Sequence, residues 1–125
     1  MRKTILCLLI VIVLIFSFWQ VFLRDIEITG KANLSWNAAP ESDVVKYRIY
    51  YGTEKRSGNC PQGGYAKKID AGSKTSYQLN DLKDGETYYF SVTSINSAGK
   101  ESCFSEEMSK RIKLSFIDKF KSLFY

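Results

Sequence analysis

An all-β sandwich is the fold that the sequence predicts, and three observations predict it. First, apolar residues alternate with polar ones in short runs: Leu34 and Trp36 in NLSWN, Tyr47, Ile49 and Tyr51 in VVKYRIYYG, and Tyr88, Phe90 and Val92 in TYYFSV. A period of two places such residues on one face of a half-buried strand. Second, Leu82, Gly85 and Tyr88 are spaced as a tyrosine corner. In that device a tyrosine near the start of a strand packs its ring in the core and bonds upstream backbone through its hydroxyl, while a glycine supplies the turn. Third, 125 residues allow one core, and a module of that size buries only about 60–70% of the surface of its unfolded chain, so its core has to be rich in aromatic side chains. The expected inward residues are Leu34, Trp36, Tyr47, Ile49, Tyr51, Ile69, Tyr77, Leu79, Leu82, Tyr88, Phe90 and Val92.

Taken in order, the chain begins with Arg2 and Lys3 and continues into TILCLLIVIVLIFSFWQVFL, residues 4–23, without a charge. A helix of that length rises about 30 Å, the thickness of a hydrocarbon core. This predicts an N-terminal transmembrane helix over residues 1–23. The cationic flank lies before the apolar run, while Arg24, Asp25 and Glu27 follow it, an asymmetry that keeps the N-terminus cytoplasmic and exports the rest. Phe16, Phe18, Trp19 and Val21 stand where a cleavable signal needs small residues, which favours an uncleaved signal-anchor. Cys7 reads as an apolar residue of that helix. Ile26 and Ile28 leave room for a short first strand, and the alternating runs named above follow, separated by the loop SGNCPQGG and by a turn at Asn96 to Gly99.

Together these runs resemble a fibronectin type III (immunoglobulin-like) domain over about residues 28–108, on Trp36, Tyr47, Leu82, Gly85, Tyr88, Asn96 and Gly99. Within that family the chain is most similar to bacterial members. It carries Tyr50, Tyr51, Gly52 and Thr53; then Ile69, Asp70, Gly72, Thr75, Ser76 and Tyr77; then Gly99, Glu101, Ser102, Phe104, Ser105 and Glu107. The resemblance implies a domain over residues 24–109 that works as a display scaffold or adhesion module with no chemistry of its own.

Charge excludes one class of partner. The net charge is +5, yet residues 24–109 carry eleven basic and twelve acidic side chains, and residues 110–125 carry five basic and one acidic. A nearly neutral module lacks the basic face that phosphates demand, so no nucleic-acid partner is expected. Catalysis has as little support. The absence of histidine removes the usual general base, the nucleophilic triads and most zinc sites, and Asp81, Asp84 and Glu86 read as turn-formers rather than calcium ligands. Neither enzyme activity nor a cofactor or metal is expected.

The tail, KRIKLSFIDKFKSLFY over residues 110–125, predicts a basic amphipathic helix. Ile112, Phe116, Phe120, Leu123 and Phe124 recur at helical spacing, with Arg111, Lys119 and Lys121 largely elsewhere. No cap or glycine stop marks its ends. Ile112, Phe116, Lys119, Phe120, Lys121 and Phe124 are the candidate membrane contacts, with lysines on anionic headgroups; the alternative readings are that residues 110–114 finish the last strand, or that the stripe packs on protein. Cys60 and Cys103 lie outside the anchor, where a disulfide is permitted. Bridging requires the loop at 53–64 to fold back toward the turn near Cys103, because those segments ordinarily leave opposite ends of the sandwich; two free thiols are the other reading.

Surface is what remains to bind. With Tyr47, Ile49 and Tyr51 inward, Arg48 and Tyr50 point outward, and with Tyr88, Phe90 and Val92 inward, so do Tyr89 and Ile95. Arg48, Tyr50, Tyr89 and Ile95 are the candidate binding surface; tyrosine beside arginine suits protein contact, and flat rings can stack on sugars. The loops at 37–43, 96–102 and 53–64 are rival sites. The sequence thus predicts a single-pass membrane protein, its module periplasmic or extracellular, that binds an envelope protein without catalysis. Alternatives are a polysaccharide-binding accessory and a membrane-active protein acting through its tail.

Overall fold

The period-two runs become strands. A computed structural model of the chain describes residues 11–16 and 29–122, without the side chains of Phe120 and Ser122. A helical stretch α1 (residues 11–16) precedes β1 (Thr29–Ser35), β2 (Val44–Gly52), β3 (Lys67–Gly72), β4 (Ser76–Lys83), β5 (Thr87–Asn96), β6 (Met108–Arg111) and α2 (Phe116–Ser122). Among the described residues no helix is long and apolar enough to cross a membrane. Most of the expected transmembrane segment, Ile26 and Ile28 of the expected first strand, and Leu123 and Phe124 of the expected tail stripe lie outside the described residues.

β1 pairs antiparallel with β4 in one sheet, and the other sheet has the order β3-β2-β5-β6. Between them lies the core. Tyr47, Ile49, Leu79, Leu82, Tyr88 and Phe90 are buried in it, with Leu34, Trp36, Tyr51, Ile69, Tyr77 and Val92 packed against it, so every expected inward residue is there. Trp36 and Tyr47 meet edge to face at 5.8 Å, and the Tyr47 hydroxyl accepts a hydrogen bond from the Ala39 N–H at 2.9 Å, fixing the start of the loop that leaves β1.

The corner forms as the spacing predicts. The Tyr88 ring is 4% exposed, its hydroxyl accepts from the Lys83 N–H at 3.1 Å, and Gly85 takes φ 85°, which glycine adopts without steric penalty. The turn is also tied to the chain beyond β6: the Gly85 N–H donates to the Ile112 carbonyl and the Ile112 N–H to the Glu86 carbonyl, each at 2.8 Å.

That tie corrects one expectation. Ile112, assigned from its spacing to the membrane-facing stripe, is 3% exposed and belongs to the core, because two backbone hydrogen bonds hold it under the corner. The module boundary expected after residue 109 falls inside β6. Helix α2 also has a cap that the sequence reading missed. The Ser115 hydroxyl accepts from the Asp118 N–H at 3.2 Å, while the Asp118 carboxylate accepts from the Ser115 hydroxyl and N–H, a reciprocal capping box.

Candidate interaction surface

Strand alternation predicts an open outer face on the four-stranded sheet; the structure covers it. Residues 53–66, between β2 and β3, fold back over that face, and Cys60 is bonded there to Cys103. The Phe104 N–H donates to the Asn59 carbonyl at 2.8 Å. The opposite wall follows from two serines. Ser102 and Ser105 donate their N–H groups to the Ser94 and Val92 carbonyls, but they accept from the Ser94 and Val92 N–H groups through their hydroxyls, each at 3.0 Å. Side-chain oxygens thus take the place of ladder carbonyls. Cys103 and Phe104, between them, are free to reach the loop.

Phe104 is the centre of this second layer. Its ring meets Tyr50 at 5.0 Å and Tyr65 at 5.5 Å, both edge to face, and the Arg56 guanidinium lies 5.4 Å from its centroid. A Cβ on Gly64 would stand 2.8 Å from the ring, so the bare backbone there is what admits it. The candidate surface changes accordingly. Tyr50 is 5% exposed beneath the loop, and Ile95 is 4% exposed beside the bridge it forms with Glu101. Arg48 is half-buried and tied to Asp70 and Glu101. Tyr89 is half-buried with the Lys55 ammonium 5.9 Å from its ring centroid. No open aromatic platform joins these four residues.

The charges of the layer are neutralised in place. Glu101 accepts from Arg48 Nη1 at 2.8 Å, from the Tyr50 hydroxyl at 2.9 Å and from the Thr93 hydroxyl at 2.7 Å. Glu107 accepts from the Arg56 N–H at 3.0 Å and from the Tyr65 hydroxyl at 2.8 Å. Burial pushes the Tyr65 phenol up to about 12 and also raises that of Tyr50. The Arg48 hydrogen bond holds Asp70 below the usual carboxylate range. Burial alone would raise Glu107, but the Arg56 N–H, the Tyr65 hydroxyl and nearby cations outweigh it and lower it. Each of these shifts carries the titration of its group further from neutral pH. It is built to hold a loop.

Sequence reasoning missed Arg56 and Tyr65 altogether, and it met Glu101, Phe104 and Glu107 only as motif letters. The signal that could have found the layer is the cysteine pair read together with the serines that flank Phe104.

Open surface remains beside the loop, in a cleft of about 390 Å³ lined by Arg48, Tyr50, Tyr65, Lys68 and Glu101 among others, and at the end of the sandwich away from the corner. β1 starts where Thr29 pairs with Lys83, beside the corner, and β5 runs from there to Asn96. At the far end the loop at 36–43 and the turn after β5 come together. The Ser97 N–H donates to the Asp43 carbonyl at 3.0 Å and Asn96 Nδ2 to the Asp43 carboxylate at 3.1 Å. A shallow cleft of about 250 Å³ lies there, lined by Glu41, Asp43, Val44, Asn96, Lys100 and Glu101 among others. Its walls mix both signs of charge with backbone polar groups, a lining suited to protein contact.

Comparison with known proteins agrees with this architecture. The family model for the fibronectin type III domain matches residues 21–111. An amylopullulanase of Thermoanaerobacter thermohydrosulfuricus is 30% identical over 87 residues, covering 69% of this chain and 5% of that protein. The Kelch domain-containing protein SSO1033 of Saccharolobus solfataricus is 49% identical over 39 residues, 31% of this chain and again 5% of that protein. The chain therefore spans about one twentieth of the length of these relatives. Among solved structures, the FN1–FN3 domains of chicken CNTN1 superpose with a TM-score of 0.53 at 21% identity, covering 67% of this chain and 27% of that one. A myokine structure gives 0.51 at 20% identity, covering 73% and 89%. At these identities the solved structures show the fold alone.

Proposed function

This chain belongs to the fibronectin type III domain family, and from that premise we propose that it is a non-catalytic binding module, held outside the cytoplasmic membrane of a bacterium by residues 4–23, that contacts an envelope protein through its free end. One observation carries the reading. The chain enters the sandwich at Thr29 beside the corner, while the loop at 36–43 and the turn at 96–100 sit together at the opposite end. An anchor preceding Thr29 presents those loops away from the lipid. The fold itself brings no chemistry, and Arg48, Arg56, Glu101 and Glu107 on the outer face are bonded within the fold.

The test is photo-crosslinking of the full chain in intact membranes, with the reactive group at Glu41 or Ala98 on the free end, or at Lys68 on β3 as a control. A discrete protein adduct from the free-end positions and none from Lys68 is expected. Adducts from Lys68 alone, or from no position, overturn the reading, and release of the chain by alkaline extraction overturns the anchoring.

A polysaccharide-binding accessory is the second reading, favoured by the 30% identity to a segment of an amylopullulanase. It has lost its expected platform, because Tyr50 lies beneath the loop. Retention of the full chain on insoluble glycan, released by Tyr89→Ala, would restore it.

A further inference from the structure

We infer that α2 is a lipid-contacting helix, which lies on the anionic surface of the same bilayer that holds the N-terminal segment and gives the module a second point of attachment. The inference rests on the anchoring proposed above and adds where and how the tail works. Its root is fixed by contacts with the sandwich. A Cβ on Gly30 would stand 2.6 Å from Ile112 Cγ2 and 3.2 Å from Leu114 Cδ2, so the chain leaving β6 lies directly against the first residues of β1. Asp84, in the corner turn, accepts from the Leu114 N–H at 2.8 Å and pairs with the Lys119 ammonium at 2.5 Å. The place where the tail leaves the sandwich and the place where the N-terminal segment joins it are therefore the same place.

From there the distance to lipid is short. Five residues separate Leu23 from Thr29, a span of about 20 Å even when fully extended. What α2 presents at that distance suits a headgroup layer. Phe116 is 81% exposed and Ile117 65% exposed, with Lys113 and Lys121 exposed nearby. Beyond β6 the chain carries Lys113, Lys119 and Lys121 against Asp118, with Lys119 paired to Asp84, beside a module that is nearly neutral. Apolar side chains at the acyl boundary with lysines on anionic headgroups are what an interfacial helix requires, and the sign of the charge selects an anionic surface.

The test uses the full chain in lipid nanodiscs made of phosphatidylcholine alone or of phosphatidylcholine with phosphatidylglycerol, and reads amide hydrogen exchange over residues 115–122. Exchange about tenfold slower in the anionic discs is expected, since each basic side chain near such a surface adds to the attraction, and high salt should weaken the effect. The double substitution Phe116→Ser and Ile117→Ser should return the rate to that in neutral discs, while the Lys83 amide, bonded to Tyr88, stays protected and reports an intact sandwich. Equal rates in the two discs, protection that survives the double substitution, or protection that instead tracks protein concentration in detergent would overturn the lipid assignment, the last pointing to a second copy. Alkaline extraction separates the two readings. An inserted chain with an unprotected tail overturns the tail contact alone; a tail protected on anionic lipid in a chain that extracts overturns the anchor alone.

Discussion

Tyr88 shows how much one side chain can carry. Its ring is in the core, and its hydroxyl accepts the Lys83 N–H at the turn where β4 gives way to β5. Tyr88→Phe keeps the ring and strands that N–H, so denaturant unfolding should show a loss of about 1–2 kcal/mol, the usual cost of an unmet hydrogen bond in a partly buried site. Glu107 gives a second prediction. Its pKa lies below its ordinary 4.5 in the folded chain, so the unfolded chain binds more protons across that interval. Its stabilising effect is therefore complete above the ordinary value and is lost as pH falls through the folded one. Protection factors over residues 53–66, corrected for the intrinsic exchange rate at each pH, should fall as pH is lowered below about 4.5, and Glu107→Gln should flatten that dependence while leaving the corner protected. The core residues were legible because period-two alternation is a local signal, readable wherever one face of a strand is buried. Tyr50 and Ile95 were misread for the same reason: alternation tells which face a residue takes but not what covers that face, and the cover arrives from residues far along the chain.

At the scale of elements, the loop over residues 53–66 and the segment from Glu101 to Glu107 form a unit that neither would form alone. The motif Gly99, Glu101, Ser102, Phe104, Ser105, Glu107 was visible as a resemblance, and each of its side chains from Glu101 on holds part of the layer in place. Glu101 gathers Arg48, Tyr50 and Thr93; the serines bond β5; Phe104 packs Tyr50 and Tyr65; Glu107 bonds Arg56 and Tyr65. The disulfide closes this unit across 43 residues of sequence, and a cross-link of that span lowers the entropy of the unfolded chain by an amount worth about 4 kcal/mol at most. Replacing both cysteines by serine should therefore lower stability by about 2–4 kcal/mol while the circular dichroism of the sandwich persists. The local effect should be larger than the global one: exchange in residues 53–66 should quicken by more than exchange in β5, because the main core lies on the other side of the sheet. Equal quickening in both would mean that the second layer supports the whole fold.

For the whole molecule, the decisive feature is where folding stops. The expected boundary lay near residue 109, because β-period gives way to helical spacing there and Ile112 falls on the helical stripe by its position alone. The same residue also satisfies the corner, and the corner wins because it offers burial together with two backbone hydrogen bonds, whereas the stripe offers only exposure to whatever surface is near. Truncation separates the two regions. A chain ending at Leu114 keeps Ile112, its bonds to Gly85 and Glu86, and the Leu114 contact with Gly30 and Asp84. It loses the Lys119–Asp84 pair, half-exposed and of a kind that contributes little, so its unfolding midpoint should stay within about 0.5 kcal/mol of the full chain. A chain ending at Ser109 removes a buried isoleucine and leaves the turn N–H of Gly85 unmet, a loss of about 3–5 kcal/mol from a small core. If the two truncations proved equally stable, Ile112 would be an ornament of the corner. If the gap appears, the sandwich ends at Leu114, and α2, with Phe116 and Ile117 exposed, lies beyond what the fold needs, at the end where the chain enters.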